Sequence, residues 1–123
     1  DPLTGYENIM YSYHFYAGDG DNSFDVSSAY KKGLPVFISE HGGMDSDGDG
    51  KISYNNIQAW WKVLDKYNIS YVAWNISTSK GSASIFKQGT PNYKDASDEN
   101  LKEWGIYYKQ HVRERFGFDK ETE

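Results

Sequence analysis

Three apolar segments of the sequence end in side chains that can do chemistry. His14 and Tyr16 end the first segment, Glu40 ends the second, and Trp74 ends the third. A carboxylate can act as a nucleophile, and a tyrosine hydroxyl that donates a hydrogen bond to it keeps it ionised and aimed. A histidine can bind a hydroxyl group, and an indole ring offers a flat apolar surface for a ring-shaped ligand. From the pattern alone, an exposed strand-end carboxylate, a core histidine and a packed tryptophan explain the same residues.

The elements that must position these side chains alternate between strands and helices. Strands are predicted over residues 8–17, 34–40 and 70–76, and helices over residues 26–32, 54–67 and 98–116. Alternation with connections of this length implies parallel strands with helices packed outside them. The carboxyl ends of parallel strands lie at one edge of a sheet, and in an α/β barrel they form the active-site face. The sequence therefore predicts an α/β fold whose chemistry lies at that edge.

The second helix carries an apolar stripe. Ser53 is its predicted N-cap, and apolar residues recur at i, i+3, i+4 and i+7 at Ile57, Trp60, Trp61 and Leu64. This spacing places them on one face, which we expect to pack against the sheet. Gly33 and Gly117 are predicted to end the first and last helices.

Composition excludes several classes of function. The chain has 123 residues, enough for one small domain but far short of the ~250 that a closed eight-stranded barrel needs. The sequence has 18 acidic and 13 basic residues, so nucleic acid is not a predicted partner. It has no Cys, so a thiolate site is excluded. No apolar run approaches the ~20 residues of a membrane span. Residues 1–5 show no signal peptide and no initiating Met, which indicates a processed or truncated chain.

Three segments resemble the last three strands of one enzyme family. Residues 8–17 (NIMYSYHFYA), 35–42 (PVFISEHG) and 71–77 (YVAWNIS) are similar in order and spacing to the sixth, seventh and eighth strands of glycoside hydrolase family 5 endoglucanases. The resemblance implies that residues 1–123 are a C-terminal fragment of the catalytic domain, a partial (β/α)8 TIM barrel of about three βα units. It also implies hydrolysis of internal β-1,4-glucosidic bonds of cellulose and related glucans, with retention of configuration.

The resemblance assigns a role to each strand end. It makes Glu40 the catalytic nucleophile, places His14 and Tyr16 in the cleavage subsite, and makes Trp74 the residue that stacks on the sugar. The implied substrate is a β-1,4-glucan polysaccharide or oligosaccharide.

Two further residues enter as substrate contacts, each with a departure from the family pattern. Lys80 resembles a lysine that contacts a more distant glucose, although Ser82 stands where the family usually has an acidic residue. His41 stands where the family usually has an aromatic residue, and we predict that it contacts substrate.

The acid/base residue of the family does not occur in this sequence. Retaining hydrolysis needs two carboxyl groups ~5–5.5 Å apart, one as nucleophile and one as proton donor and acceptor. The family carries the second in an Asn-Glu-Pro motif, which is absent from residues 1–123. The alternative to a cellulase is therefore a catalytically weak or inactive glucan-binding fragment.

A three-stranded piece of a barrel leaves unpaired strand edges and partly uncovered helices. A second copy of the chain is the simplest cover, so we predict a homo-oligomer, most simply a dimer. Because the implied substrate is an insoluble polymer, the resemblance also predicts a secreted protein.

An acidic loop gives a second, weaker signal. Residues 45–56 (DSDGDGKISYNN) match the first nine positions of an EF-hand calcium loop, with Gly50 at the sixth position. The twelfth position is Asn56 where the pattern requires Glu. The candidate ligands are Asp45, Asp47, Asp49, Lys51 and Ser53. The loop is either a calcium site or a solvated turn, and both interpretations stay open. If it binds calcium, the chain could instead be a calcium-dependent interaction module. Hydrolysis itself is predicted to require no cofactor.

Overall fold

The computed structural model describes residues 2–118 and alternates strands with helices, as predicted. Its regular elements are β1 (Tyr11–Tyr16), α1 (Ser23–Lys31), β2 (Val36–Gly42), α2 (Tyr54–Lys66), β3 (Tyr71–Ala73) and α3 (Glu103–Phe116). Single turns of 3-10 helix occupy Ala17–Asp19 and Asp98–Asn100.

The three strands form one parallel sheet in the order β1-β2-β3. The central strand is apolar in its first half, with Val36 and Ile38 buried. Within residues 2–118, β1 and β3 are each paired on one side only. The carboxyl ends of all three strands therefore lie at one edge, where the predicted site residues follow.

The core lies between the sheet and the helices, and α2 contributes four of its buried residues. The predicted stripe is confirmed, because Ile57, Trp60, Trp61 and Leu64 are all buried. The ring of Phe15 on β1 stacks on Trp60 with 3.8 Å between ring centroids. Burial of aromatic rings at this interface supplies much of the hydrophobic stabilisation, at about 25 cal/mol per Å² of apolar surface.

Several element boundaries differ from the sequence prediction. Ser53 precedes α2, but its side chain makes no capping hydrogen bond. The last helix begins at Glu103 rather than residue 98, because Leu101 forms an isolated bridge with Phe86 and lies outside the helix. Gly33 and Gly117 adopt positive φ after α1 and α3, the conformation that ends a helix most easily at glycine.

Among residues 2–118, no helix is both long and apolar enough to cross a membrane.

Candidate active site

A β-bulge lies where β2 reaches the candidate site. In the pairing of β1 with β2, Tyr13 lies opposite Ile38 and His14 lies opposite Glu40, so Ser39 is an extra residue on β2. A bulge bends its strand and redirects side chains, and bulges are common beside active sites. Here it lets two consecutive residues of β2, Ser39 and Glu40, both reach the ring of His14.

The structure brings together the three residues that were predicted as catalytic. The Tyr16 hydroxyl donates a hydrogen bond of 2.6 Å to Oε1 of Glu40. Nδ1 of His14 lies 3.7 Å from Oε2 of the same carboxylate, whose side chain is 21% exposed. Burial, together with the hydrogen bond to Glu40, raises the pKa of Tyr16 well above its ordinary value. The phenol therefore stays protonated and donates to the carboxylate throughout the neutral range.

Gly42 makes room for the Tyr16 ring. The two residues are paired across β1 and β2, and a Cβ on Gly42 would lie 2.8 Å from Cδ1 and Cε1 of Tyr16 and 2.7 Å from Sδ of Met44. A side chain here would displace the ring that holds Glu40. No role for Gly42 follows from the motif alone; the signal that points to it is a glycine inside a strand, which often marks a close approach.

Trp74 lies directly after β3, at the same end of the sheet as Glu40. Its backbone N–H donates to the carbonyl of His41 at 2.8 Å, and its own carbonyl accepts a hydrogen bond of 3.2 Å from Nε1 of Trp104. The peptide bond between Trp74 and Asn75 is cis. The side chain of Trp74 is 45% exposed, so a fixed backbone presents an indole ring that solutes can reach.

The prediction that His41 contacts substrate is wrong, because its side chain is fully buried. Nδ1 of His41 lies 2.7 Å from the carbonyl oxygen of Val72, and Nε2 accepts a hydrogen bond of 3.1 Å from Nε1 of Trp61. Successive residues of a strand point to opposite faces. Since Glu40 points to the open face of the sheet, His41 points into the layer between sheet and helices.

Lys80 lies in the loop after β3 and is exposed. Its loop is held by Nζ of Lys102, which donates to the carbonyl oxygens of Ser79, Lys80 and Gly81 at 2.7–2.8 Å. Together with Asp49, Lys80 lines a surface cavity of about 280 Å³ that includes none of His14, Tyr16 and Glu40. The structure therefore does not place Lys80 with His14, Tyr16 and Glu40, which we call the Glu40 group.

The acidic loop does not assemble the predicted calcium site. Oδ1 of Asp47 accepts the N–H of Asp49 at 2.9 Å, and Oδ1 of Asp49 accepts the N–H of Ser82 at 3.0 Å. Backbone N–H groups of Gly50 and Ser82 lower the pKa of Asp49. Nδ2 of Asn56, the twelfth position, donates to the carbonyl of Ala17 instead of facing the loop.

Within residues 2–118, no group of three His, Cys, Asp or Glu side chains is arranged to hold a metal ion. The predicted calcium ligands Asp45, Asp47, Asp49, Lys51 and Ser53 therefore do not fit the ion as they stand. One oxygen of Asp47 and one of Asp49 already accept backbone N–H groups, and the bond from Ser82 to Asp49 ties this loop to the loop after β3.

Comparison with known proteins agrees with the fold and with the strand-end motifs. The sequence profile of the cellulase family, glycosyl hydrolase family 5, matches residues 1–80. Endoglucanase MaCel5A of Microbulbifer sp. (strain ALW1) is 33% identical over 117 residues, which cover 94% of this chain and 23% of the relative. Endoglucanase A of Butyrivibrio fibrisolvens is 36% identical over 110 residues, covering 87% and 26%. The chain thus spans about a quarter of the length of these curated relatives.

Solved structures show the same relationship. Cellulase Cel5C_n superposes with a TM-score of 0.79 at 30% identity, covering 91% of this chain and 34% of that one. The catalytic domain of Thermobifida fusca endoglucanase Cel5A, in complex with cellotetraose, gives 0.78 at 25% identity, covering 89% and 36%. The predicted partial TIM barrel is confirmed, since the three βα units match about a third of TIM-barrel cellulases. The chain belongs to the cellulase family, glycosyl hydrolase family 5.

Proposed function

We propose that this chain carries the nucleophile side of the active site of a retaining endo-β-1,4-glucanase, with Glu40 as the nucleophile. The observation that carries the proposal is the hydrogen bond of 2.6 Å from Tyr16 to Glu40 at the carboxyl edge of the sheet. It joins two residues whose positions match the family pattern. Membership of a family whose named relatives are endoglucanases supports the reaction class.

The chemistry follows from two carboxyl groups that act in turn. Glu40 attacks the anomeric carbon, the bond to the leaving sugar oxygen breaks, and a second carboxyl group gives that oxygen a proton. Water then replaces Glu40 at the anomeric carbon and returns a proton to the second carboxylate, which restores both groups. Tyr16 holds one oxygen of Glu40 and leaves the other for attack, while His14 lies beside that second oxygen. The reaction draws on these carboxyl groups and needs no metal.

Substrate contacts form the next part of the proposal. The half-exposed indole of Trp74 offers a platform for the apolar face of a glucose ring. Lys80 is proposed to contact a more distant glucose unit of the glucan, since this lysine lies outside the Glu40 group. The substrate class is a β-1,4-glucan, and a polymer of this kind is met outside the cell, so we propose that the protein acts there.

The second carboxyl group is not supplied by the usual motif in these 123 residues. We propose that it reaches Glu40 only when the open sides of β1 and β3 are covered, most simply by a second copy of the chain. Light scattering tests this step. A dimer is expected, and a monodisperse monomer would contradict it.

The role of Glu40 as nucleophile can be tested with a substrate whose cleavage does not require the missing acid. The leaving group of 2,4-dinitrophenyl β-cellobioside departs without a proton, so its release needs the nucleophile but no acid. We expect Glu40→Gln to slow dinitrophenolate release at least about 1,000-fold. The matched control is Glu99→Gln, which removes one exposed carboxylate elsewhere and should leave the rate unchanged. Equal rates for wild type and Glu40→Gln would overturn the assignment.

Release of reducing ends from carboxymethylcellulose then reports on the complete site. Release of dinitrophenolate from the activated cellobioside without hydrolysis of the polymer means that the second carboxyl group is missing. The half-exposed Trp74 at the same end of the sheet as Glu40 and the absence of Asn-Glu-Pro favour one alternative, a glucan-binding fragment. Binding of cello-oligosaccharides with no turnover of either substrate would select it.

A further inference from the structure

We propose that Ser39 is a positioning residue that sets which nitrogen of His14 carries the proton, and so turns an N–H group toward Glu40. The inference deepens the proposed function and rests on it, because the carboxylate that receives this N–H is the proposed nucleophile. Ser39 is not assigned a role by the strand-end motif, although it stands next to Glu40 in the sequence.

The geometry comes from the bulge in β2. Because Ser39 is the extra residue, Ser39 and Glu40 both lie opposite His14. Oγ of Ser39 is 2.9 Å from Nε2 of His14, and Oε2 of Glu40 is 3.7 Å from Nδ1. The hydroxyl of Ser39 is also hydrogen-bonded to the hydroxyl of Ser12 on β1. Each nitrogen of the ring therefore faces a different residue of the same bulge.

The direction of these contacts follows from what each group can donate. An ionised carboxylate only accepts hydrogen bonds, so the nitrogen that faces Glu40 is favoured as the N–H. In a neutral ring the other nitrogen is then an acceptor, and Ser39 must donate to it. Since the single hydrogen of Ser39 is used on His14, the hydroxyl of Ser12 donates to Ser39. The result is a directed chain from Ser12 through Ser39 and His14 to Glu40.

The consequence is that both oxygens of Glu40 face a donor, Tyr16 at Oε1 and His14 at Oε2. The side chain of His14 is 53% exposed, so packing does little to fix its ring. Contacts at both nitrogens restrict its rotation about χ2. Ser39 thereby acts on the nucleophile through the orientation and tautomer of His14, without touching substrate itself.

The test reads the tautomer directly and needs no catalysis. Protein labelled with 15N in its three histidines is studied by long-range 1H–15N correlation spectra at a pH where His14 is neutral, and His14→Gln identifies its signals. We expect wild-type His14 to carry its proton mainly on Nδ1. Ser39→Ala should shift the ratio of the two tautomers toward Nε2–H about fivefold, the factor that one neutral hydrogen bond contributes. Ser39→Thr keeps the hydroxyl and should restore the wild-type ratio.

His41 is an internal control for the fold. Its ring is held at both nitrogens by Val72 and Trp61, so its signals should not change in the Ser39 variants. Wild-type His14 in the Nε2–H form, or a ratio that Ser39→Ala leaves unchanged while His41 is undisturbed, would overturn the inference. The expected tautomers with no turnover of the activated cellobioside would count against the proposed function alone. Glu40-dependent turnover with an unchanged tautomer would count against the role of Ser39 alone.

Discussion

His14 on β1 and His41 on β2 lie at nearly the same level of the sheet, near the carboxyl ends of two paired strands, but their environments are opposite. Phe15 pairs with His41 across β1 and β2, so His14 is one residue from the same position. The side chain of His14 is 53% exposed beside Glu40, whereas that of His41 is fully buried between sheet and helices. Both were predicted to meet substrate. The comparison shows that the face of the strand, rather than residue type or proximity to Glu40, decides which histidine is available for chemistry.

The buried ring is held by its surroundings as a neutral group. Five aromatic rings surround His41: Phe15, Trp61, Tyr71, Trp104 and Tyr108. Burial lowers the pKa of His41 to about 4. Both nitrogens are occupied in the neutral form, because Nδ1–H donates to the carbonyl of Val72 and Nε2 accepts from Trp61. A second proton would break the bond to Trp61 and place a charge among aromatic rings.

The largest difference between the two histidines is expected in stability. His41→Ala leaves a cavity and two unpaired polar groups, on Val72 and Trp61, so it should lower the free energy of unfolding by about 3 kcal/mol or more. His14→Ala removes an exposed ring and should cost less than about 0.5 kcal/mol. Urea denaturation of the two variants measures both values. Similar losses of stability in His41→Ala and His14→Ala would contradict the distinction between the buried face and the open face of the sheet.

The pH dependence of stability tests the neutral state of His41. Its pKa is about 4 in the folded protein against an ordinary 6.5, so the unfolded chain takes up the proton first as the pH falls. Stability is complete above about pH 6.5 and is lost between pH 6.5 and 4, by about 3 kcal/mol in total. His41→Gln, which has no titrating group, should lose this part of the dependence when urea midpoints are compared at pH 7 and pH 4.5.

Other titrating groups near His41 set the background of that measurement. Tyr71 on β3 and Tyr108 on α3 face it, and burial raises the pKa of both, so they stay neutral in this range. His111 on α3 has a pKa lowered by burial. It therefore adds a loss of the same sign, which His41→Gln retains. A dependence on pH that is equal in wild type and His41→Gln would contradict the assignment to His41.

A smaller effect is expected from a change on the open face of the sheet. Gly42→Ala places a methyl group against the Tyr16 ring, which should cost about 1–3 kcal/mol by overpacking and displace the hydroxyl from Glu40. The phenol would then lose one cause of its raised pKa, so ultraviolet titration should show Tyr16 ionising at lower pH. Tyr16→Phe identifies its contribution to the titration. An unchanged titration in Gly42→Ala would show that the ring does not need this space.

Calcium is expected to have the smallest effect. Two acids of the loop after β2, Asp47 and Asp49, already accept the backbone N–H groups of Asp49 and Ser82. Calorimetric titration with calcium should therefore show no heat, and the thermal midpoint should not change on addition of calcium. Asp49→Asn is the matched variant, since it removes the charge of one candidate ligand. A saturable heat in wild type that Asp49→Asn abolishes would mean that the loop rearranges around the ion.

Much of the fold follows from local pattern. The apolar stripe of α2, the helix-ending glycines and the alternation of strands with helices were all predicted, because each can be recognised from residues that are neighbours in the sequence. The beginning of α3 was not, since Leu101 leaves the helix to pair with Phe86, which lies 15 residues earlier. Contacts between distant segments are invisible to such patterns.

At the site, the sequence alone determined which residue types stand at the strand ends, and so singled out His14, Tyr16, Glu40 and Trp74. Only the tertiary structure decided which of the predicted residues meet. The bulge at Ser39, the space above Gly42 and the burial of His41 all depend on how β2 is paired and covered. The physical reason is that one extra residue in a strand changes which side chains share a face. Sequence spacing does not record that change, and only the paired neighbours reveal it.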